Sequence, residues 1–305
     1  MSSYPRVLRN GSTASAAGGV IEHQGATITV ELVTPATAAA WLGNVYEGQR
    51  PLRKRQVEKY ARDMAAGRWG FSDAAICFDV DGAMIQGQHR CHACVESGRS
   101  FYSIIVRGMP SDTYGVLDQG IKRSPTDVLR SMGEANVATR AAVARLVWCY
   151  RNDDLSRMAS IAVSTPEVVQ VSLSEPLMGE ACRVADRVRK SAGIKSSVAG
   201  ASFIITKERA PNTAAWFFER LVDGVGLSEN EPVRLLRERM LKEKDTKGHL
   251  PQKDVMALVL KAWNYTVKGQ AIRTLRYRNV GPAAEAYPVP LFPTAEEDAE
   301  LEGAA

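Results

Sequence analysis

The stretch Asp81-Gly82-Ala83-Met84-Ile85-Gln86-Gly87-Gln88-His89-Arg90-Cys91-His92-Ala93 decides the fold. It reads as a short strand, a glycine, and the first turn of a helix with a basic residue in it. A helix N-terminus exposes unpaired N–H donors and the positive end of the dipole. Gly87 lets an anion approach the backbone closely, and the new N–H groups then hold a phosphate. His89 and Arg90 are candidates to add charge, Arg90 by gripping two phosphate oxygens. The same residues also fit a plain strand-to-helix turn, and chemistry alone leaves both readings open.

Outward from this stretch, Ala75–Phe78, the turn Asp79–Gly82 and Ala83–Ile85 form a hairpin. Upstream, Thr27–Val33 alternates with period two and reads as a strand. Thr34-Pro35 then starts a short helix that stops near Gly43-Asn44. After the break at Gln49-Arg50-Pro51, Arg53–Ala66 places Val57, Tyr60, Ala61 and Met64 on one helical face. Downstream, the helix from Gln88 ends near Gly98, Tyr102–Val106 is a strand, Val116–Gly120 is a short apolar run into a turn, and Ser124-Pro125 caps another helix. The order β-α-α-β-β-α-β-α makes a small mixed-sheet domain over 25–131.

At these residues the chain resembles a known family. Gly87-Gln88-His89-Arg90 after a strand, with Ala93 one turn on, is similar to the signature of the ParB/sulfiredoxin superfamily. Asn44 with Gln49-Arg50-Pro51 resembles the N-terminal box of ParB proteins. Tyr60-Ala61-Arg62-Asp63-Met64-Ala65-Ala66-Gly67-Arg68-Trp69 resembles the helix and glycine exit of ParB-like proteins of phages and mobile elements. The likeness covers about 27–130. It implies a nucleotide (CTP, ATP or ADP) with Mg²⁺, its phosphates held by Gly87, Gln88, His89 and Arg90, with Arg50 contributing from the N-terminal box. Family members load on DNA and hydrolyse CTP, repair oxidised cysteine, or act as kinases; some are labelled nucleases. Gln88 stands where sulfiredoxin chemistry requires cysteine, and His89-Arg90 replaces the usual Arg-Arg pair of ParB clamps.

A second element, Asp118-Gln119-Gly120-Ile121-Lys122-Arg123-Ser124, puts an acid, a glycine and two bases between a short strand and a helix. Asp118 is the candidate for a divalent cation or a water, and Lys122 or Arg123 for a phosphate; a turn with a solvated Lys-Arg pair is the alternative. For an enzyme on this fold, Asp118 and Asp81 are the acids to nominate as catalytic. The cluster His89-Arg90-Cys91-His92-Ala93-Cys94 is not a zinc site, because four ligands cannot converge tetrahedrally from a turn and a half of helix. Cys91 and Cys94 read as small buried residues. There is no P-loop, GxSxG, HExxH or GxGxxG.

Beyond Ser131 strand signals fade and 132–278 reads as an α-helical domain, so the fold class is α+β. Helical periodicity runs over 135–150, 165–177, 179–191, 212–221, 231–244 and 252–268. After Arg278 there is no Lys or Arg but six acids: Glu285, Glu296, Glu297, Asp298, Glu300 and Glu302. Removing those six from the 34 acids leaves 39 basic against 28 acidic residues before position 279, a balance of +11 on a chain of net +5. A basic body with an acidic tail points to a polyanionic partner, DNA first. Lys261, Trp263 and Lys268, followed by Arg273, Arg276 and Arg278, interleave bases with aromatics as backbone contact plus base stacking requires. An amphipathic core helix with Trp263 buried fits the same pattern. Residues 1–24 read as a flexible leader, and 279–305 as an extended Pro-rich acidic tail that shields a basic groove until nucleic acid displaces it. Five scattered cysteines fit a reducing cytoplasm, and no apolar run has the length to span a bilayer. The reading is a ParB-like nucleotide- and DNA-binding protein, with a second copy as a candidate partner in a homodimer and slow NTP hydrolysis as a switch; a nuclease or nucleotide-dependent kinase on the same fold is the alternative.

Overall fold

A computed structural model describes residues 21–23, 25–49, 51–110, 124–152, 155–245 and 250–301. The chain forms two compact units, Met1–Gly120 and Ile121–Ala305.

The first unit carries strands β1 (Ile21–His23), β2 (Ala26–Val33), β3 (Ile76–Asp79), β4 (Met84–Gln86) and β5 (Phe101–Met109), with helices α1 (Pro35–Leu42), α2 (Lys54–Ala65) and α3 (Gln88–Ser97). The sheet order is β1-β2-β5-β3-β4. β2 runs antiparallel to β5, β5 parallel to β3, and β3 antiparallel to β4. Alternation in β2 and β5 follows the pleat: Val33, Phe101 and Ile105 enter the core, whereas Val30, Leu32 and Tyr102 stay exposed. α1 starts where Thr34 accepts a hydrogen bond from the Thr37 N–H at 3.1 Å and Pro35 pre-sets the first turn. Its core joins Val57, Ala61 and Met64 of α2 to Ile76, Phe78 and Met84 of the hairpin and to Cys91 and Cys94 of α3. β1 corrects the expected leader: its three residues pair with Ile28–Ala26, one strand further than the alternation pattern extends.

The second unit is helical: α4 (Pro125–Ser131), α5 (Val137–Arg151), α6 (Thr165–Ser174), α7 (Met178–Ala192), α8 (Ser196–Lys207), α9 (Pro211–Asp223), α10 (Pro232–Asp245), α11 (Gln252–Val267) and α12 (Ala295–Ala299). α4, expected in the first domain, packs on α5 and α6 through the buried Leu129. α8 is absent from the sequence reading because Ser197–Thr206 are buried all round, so no polar face marks a period. A Cβ on Gly200 would lie 2.6 Å from Val143 Cγ2, so glycine lets α8 approach α5 closely. Among the described residues no helix is long and apolar enough to cross a membrane.

The tail differs from the expected loose extension. Trp263 donates its indole N–H to the Leu291 carbonyl at 2.6 Å, and Asp298 is buried against the start of α9. Residues 285–298 therefore lie along the helical body.

Candidate functional site

Gly87 sits at φ 117°, ψ −6°, as the N-cap of α3. That conformation is strained for any L side chain, and an added Cβ would meet Ile76 Cγ1 at 2.9 Å. The glycine is thus required by packing and backbone alone.

The Asn44–Arg53 segment is stitched to the hairpin and to α3. Asn44 Nδ2 donates to the Gly82 carbonyl at 3.1 Å, and the Asn44 carbonyl accepts from the Met84 N–H at 2.8 Å. The Met84 carbonyl accepts from the Tyr46 N–H at 3.2 Å and from Gln49 Nε2 at 3.1 Å. The Arg53 N–H donates to His89 Nε2 at 3.0 Å. Two motifs more than 30 residues apart in sequence therefore meet at the start of α3.

This geometry corrects the roles expected of the two bases. His89 Nε2 is turned to the Arg53 N–H as an acceptor, so in this arrangement it faces the backbone of the Asn44–Arg53 segment. The Arg90 guanidinium donates to the Ala74 and Ala75 carbonyls, with Ser103 Oγ at 3.4 Å. It fastens the chain that leads into β3 instead of projecting as a phosphate clamp. Gln88 and His89 are each 8% exposed.

Asp81 is exposed at the tip of the hairpin, separated from Gly87 by the whole of β4. It therefore does not stand beside the turn at the start of α3, against its nomination as a catalytic acid there. Asp79 shapes that tip, with Oδ1 accepting from the Asp81 N–H at 3.0 Å and the Ala83 N–H at 2.8 Å. Arg50, Asp118, Lys122 and Arg123 lie outside the described residues. Among the described residues, no group of three or more His, Cys, Asp or Glu side chains is placed to hold a metal ion.

All five cysteines are free and buried. Burial pushes the Cys91 thiol up to about 12 and the Cys77 thiol up to about 11. Thiols so far from ionisation are poor nucleophiles at neutral pH.

The nucleic-acid candidates divide into two groups. Trp263 is fully buried, edge-on to Phe217 at 5.5 Å, and so is not a stacking platform. Lys261 is ion-paired with Glu285 of the tail. The second group lies on an irregular strap after α11. Lys268, Arg273, Arg276 and Arg278 are exposed, and none is paired with an acid among the described residues. The strap is firmly anchored. The Ile272 N–H donates to the Asn230 carbonyl at 2.8 Å, the Leu275 carbonyl accepts from Arg239 at 3.2 Å, and Leu275 is 3% exposed. The helical bases differ: Arg187 is paired with Glu219, Lys190 with Asp186, and Arg234 with Glu238.

The sequence reading missed a groove of about 540 Å³ between the end of α2 and the start of β5, lined by Gly67, Trp69, Phe71, Arg99 and Tyr102 among others. The Trp69-Gly70-Phe71 run just past a helix-ending glycine was its one sequence sign. No family model, no curated protein and no solved structure matches this chain.

Proposed function

We propose that the chain is a ParB-like nucleotide- and DNA-binding protein. The observation that supports this most is the junction of the Asn44–Arg53 segment with the start of α3 through Gln49–Met84 and Arg53–His89. The two boxes that carry the family likeness become one surface there. The phosphates of a nucleoside di- or triphosphate lie against the first N–H groups of α3. With His89 and Arg90 engaged by neighbouring backbone, the cationic contribution falls to Arg50, next in sequence to Gln49, with Asp118 as the Mg²⁺ ligand. DNA binds through the backbone-contacting cations Lys268, Arg273, Arg276 and Arg278, without sequence readout. Nucleotide hydrolysis, in this reading, is a slow switch between DNA-binding populations.

Calorimetric titration with CTP, ATP and ADP in Mg²⁺ tests the nucleotide half. Saturable binding by one of them, lost in Arg50→Ala with the fold intact by circular dichroism, is expected. A folded protein that engages none of the three overturns it. Plasmid nicking or phosphate transfer that vanishes in Asp118→Ala would move the assignment to an enzyme.

A further inference from the structure

We infer that the surface formed by α9 and α11 is a receptor site for a proline-rich acidic strand, that residues 285–298 are its ligand, and that a second copy of the chain can supply them. The inference is independent of the nucleotide and DNA reading.

The strand is recognised at several points along its length. Trp263 donates its indole N–H to the Leu291 carbonyl at 2.6 Å. Asn264 makes a paired contact with the backbone, its Nδ2 donating to the Val289 carbonyl at 2.8 Å and its Oδ1 accepting from the Leu291 N–H at 2.8 Å. Tyr287 donates its hydroxyl to the Lys253 carbonyl at 3.1 Å. The Arg209 guanidinium lies 4.0 Å from the centre of the Phe292 ring. Pro288, Pro290 and Pro293 restrict this segment to extended backbone before it binds, which lowers the entropy lost on docking.

The acidic end is matched as closely. Asp298, 6% exposed, accepts from the Thr213 N–H at 2.8 Å, the Thr213 hydroxyl at 2.6 Å and the Asn212 N–H at 3.2 Å. α9 has no side-chain cap of its own at Ala210. Its cap comes from a residue 86 positions further along the chain. A capping box of Thr294 with Glu297 fixes the short helix that presents Asp298. A carboxylate on helix N–H donors is a charge-assisted contact, stronger than a neutral one.

The link to this strand is unburied and touches α11 through the Asn279 side chain, whose Nδ2 donates to both carboxylate oxygens of Asp254 at 2.8 and 3.0 Å. Residues 278–286 are exposed throughout, and the link turns at Gly281, φ 84°, followed by Pro282. An element that docks at defined contacts through an unburied link meets the requirements for exchange between copies, because every contact can be remade in trans.

The experiment uses the chain ended at Ala284 and a labelled peptide of residues 285–301. Saturable binding to the folded truncated protein is expected. It should weaken roughly tenfold or more with Asp298→Asn in the peptide or Asn264→Ala in the protein, as loss of a charged or paired hydrogen bond implies. Mixing the truncated chain with full-length Asn264→Ala, whose own site holds its tail less well, should give a one-to-one complex by light scattering. A folded truncated protein that ignores the peptide, or a mixture that stays monomeric, overturns the inference. Should truncation prevent folding, the full chain cleaved at a protease site inserted between Ala283 and Ala284 replaces it. Exchange of the cut fragment for labelled peptide then supports the inference, and failure to exchange over a day overturns it.

Discussion

Gly87 shows why a motif glycine is ambiguous on its own. Its φ of 117° and the Ile76 side chain under it account for its presence without a ligand. Gly82 has a positive φ of 77° but open space where a Cβ would go. Gly87→Ala should therefore destabilise the first unit by roughly 1–3 kcal/mol of backbone strain plus the clash with Ile76. Gly82→Ala should show the backbone part only. Denaturant melts of both variants check this, and equal losses would remove the Ile76 contact from the account. The cysteines give a second test at this scale. With burial holding the Cys91 thiol up at about 12 and Cys77 at about 11, no thiol of the native protein should react with a disulfide reagent at pH 8. All five should react in denaturant, as counted by released chromophore.

Between elements, the β2–β5 pair carries a cross-strand bond whose pH dependence can be signed. Arg107 donates to both carboxylate oxygens of Glu31, at 3.0 Å to Oε2. The Arg107 hydrogen bond, opposed by burial and joined by the Thr29 hydroxyl, holds the Glu31 carboxyl below its usual value of 4.5. A carboxyl depressed in the folded state stabilises fully above its unfolded value, and that contribution disappears as pH falls through the folded value. The pair is part-exposed, so its worth is below about 1 kcal/mol. Glu31→Gln should lower stability at pH 7 and leave the fold less sensitive between about pH 5 and pH 3, measured by urea melts across that range. An unchanged acid limb would show that other carboxylates govern it.

Across the whole molecule, charge bookkeeping separates neutralised bases from available ones. The helix bases Arg187, Lys190 and Arg234 are spent on acids, whereas Lys268, Arg273, Arg276 and Arg278 are not. Replacing those four with alanine should weaken duplex DNA binding about equally for every sequence. It should also reduce the slope of log K against log salt by roughly 3–4, since each phosphate contact contributes about 0.9. Fluorescence anisotropy at several salt concentrations measures this. The expected shield by the acid run fits poorly with its position. Among the described tail acids, Glu285 pairs with a base of α11, while Asp298 caps α9.

Local chemistry determined much of this protein. The Thr34-Pro35 start of α1, the β2 alternation, the hairpin through Asp79–Gly82 and the Gly87 start of α3 were legible because each depends on neighbouring residues alone. β1 and α8 were not. Three residues are too few to show a period, and a helix buried on every side has no polar stripe to show one. The roles of the charged and aromatic residues were decided only in three dimensions. Arg90 and His89 looked available in sequence and Trp263 fitted both a buried and a stacking role; each is engaged by backbone or side-chain groups contributed by distant parts of the chain. A cation's freedom depends on which distant groups it meets, and a sequence window of a few turns does not contain them.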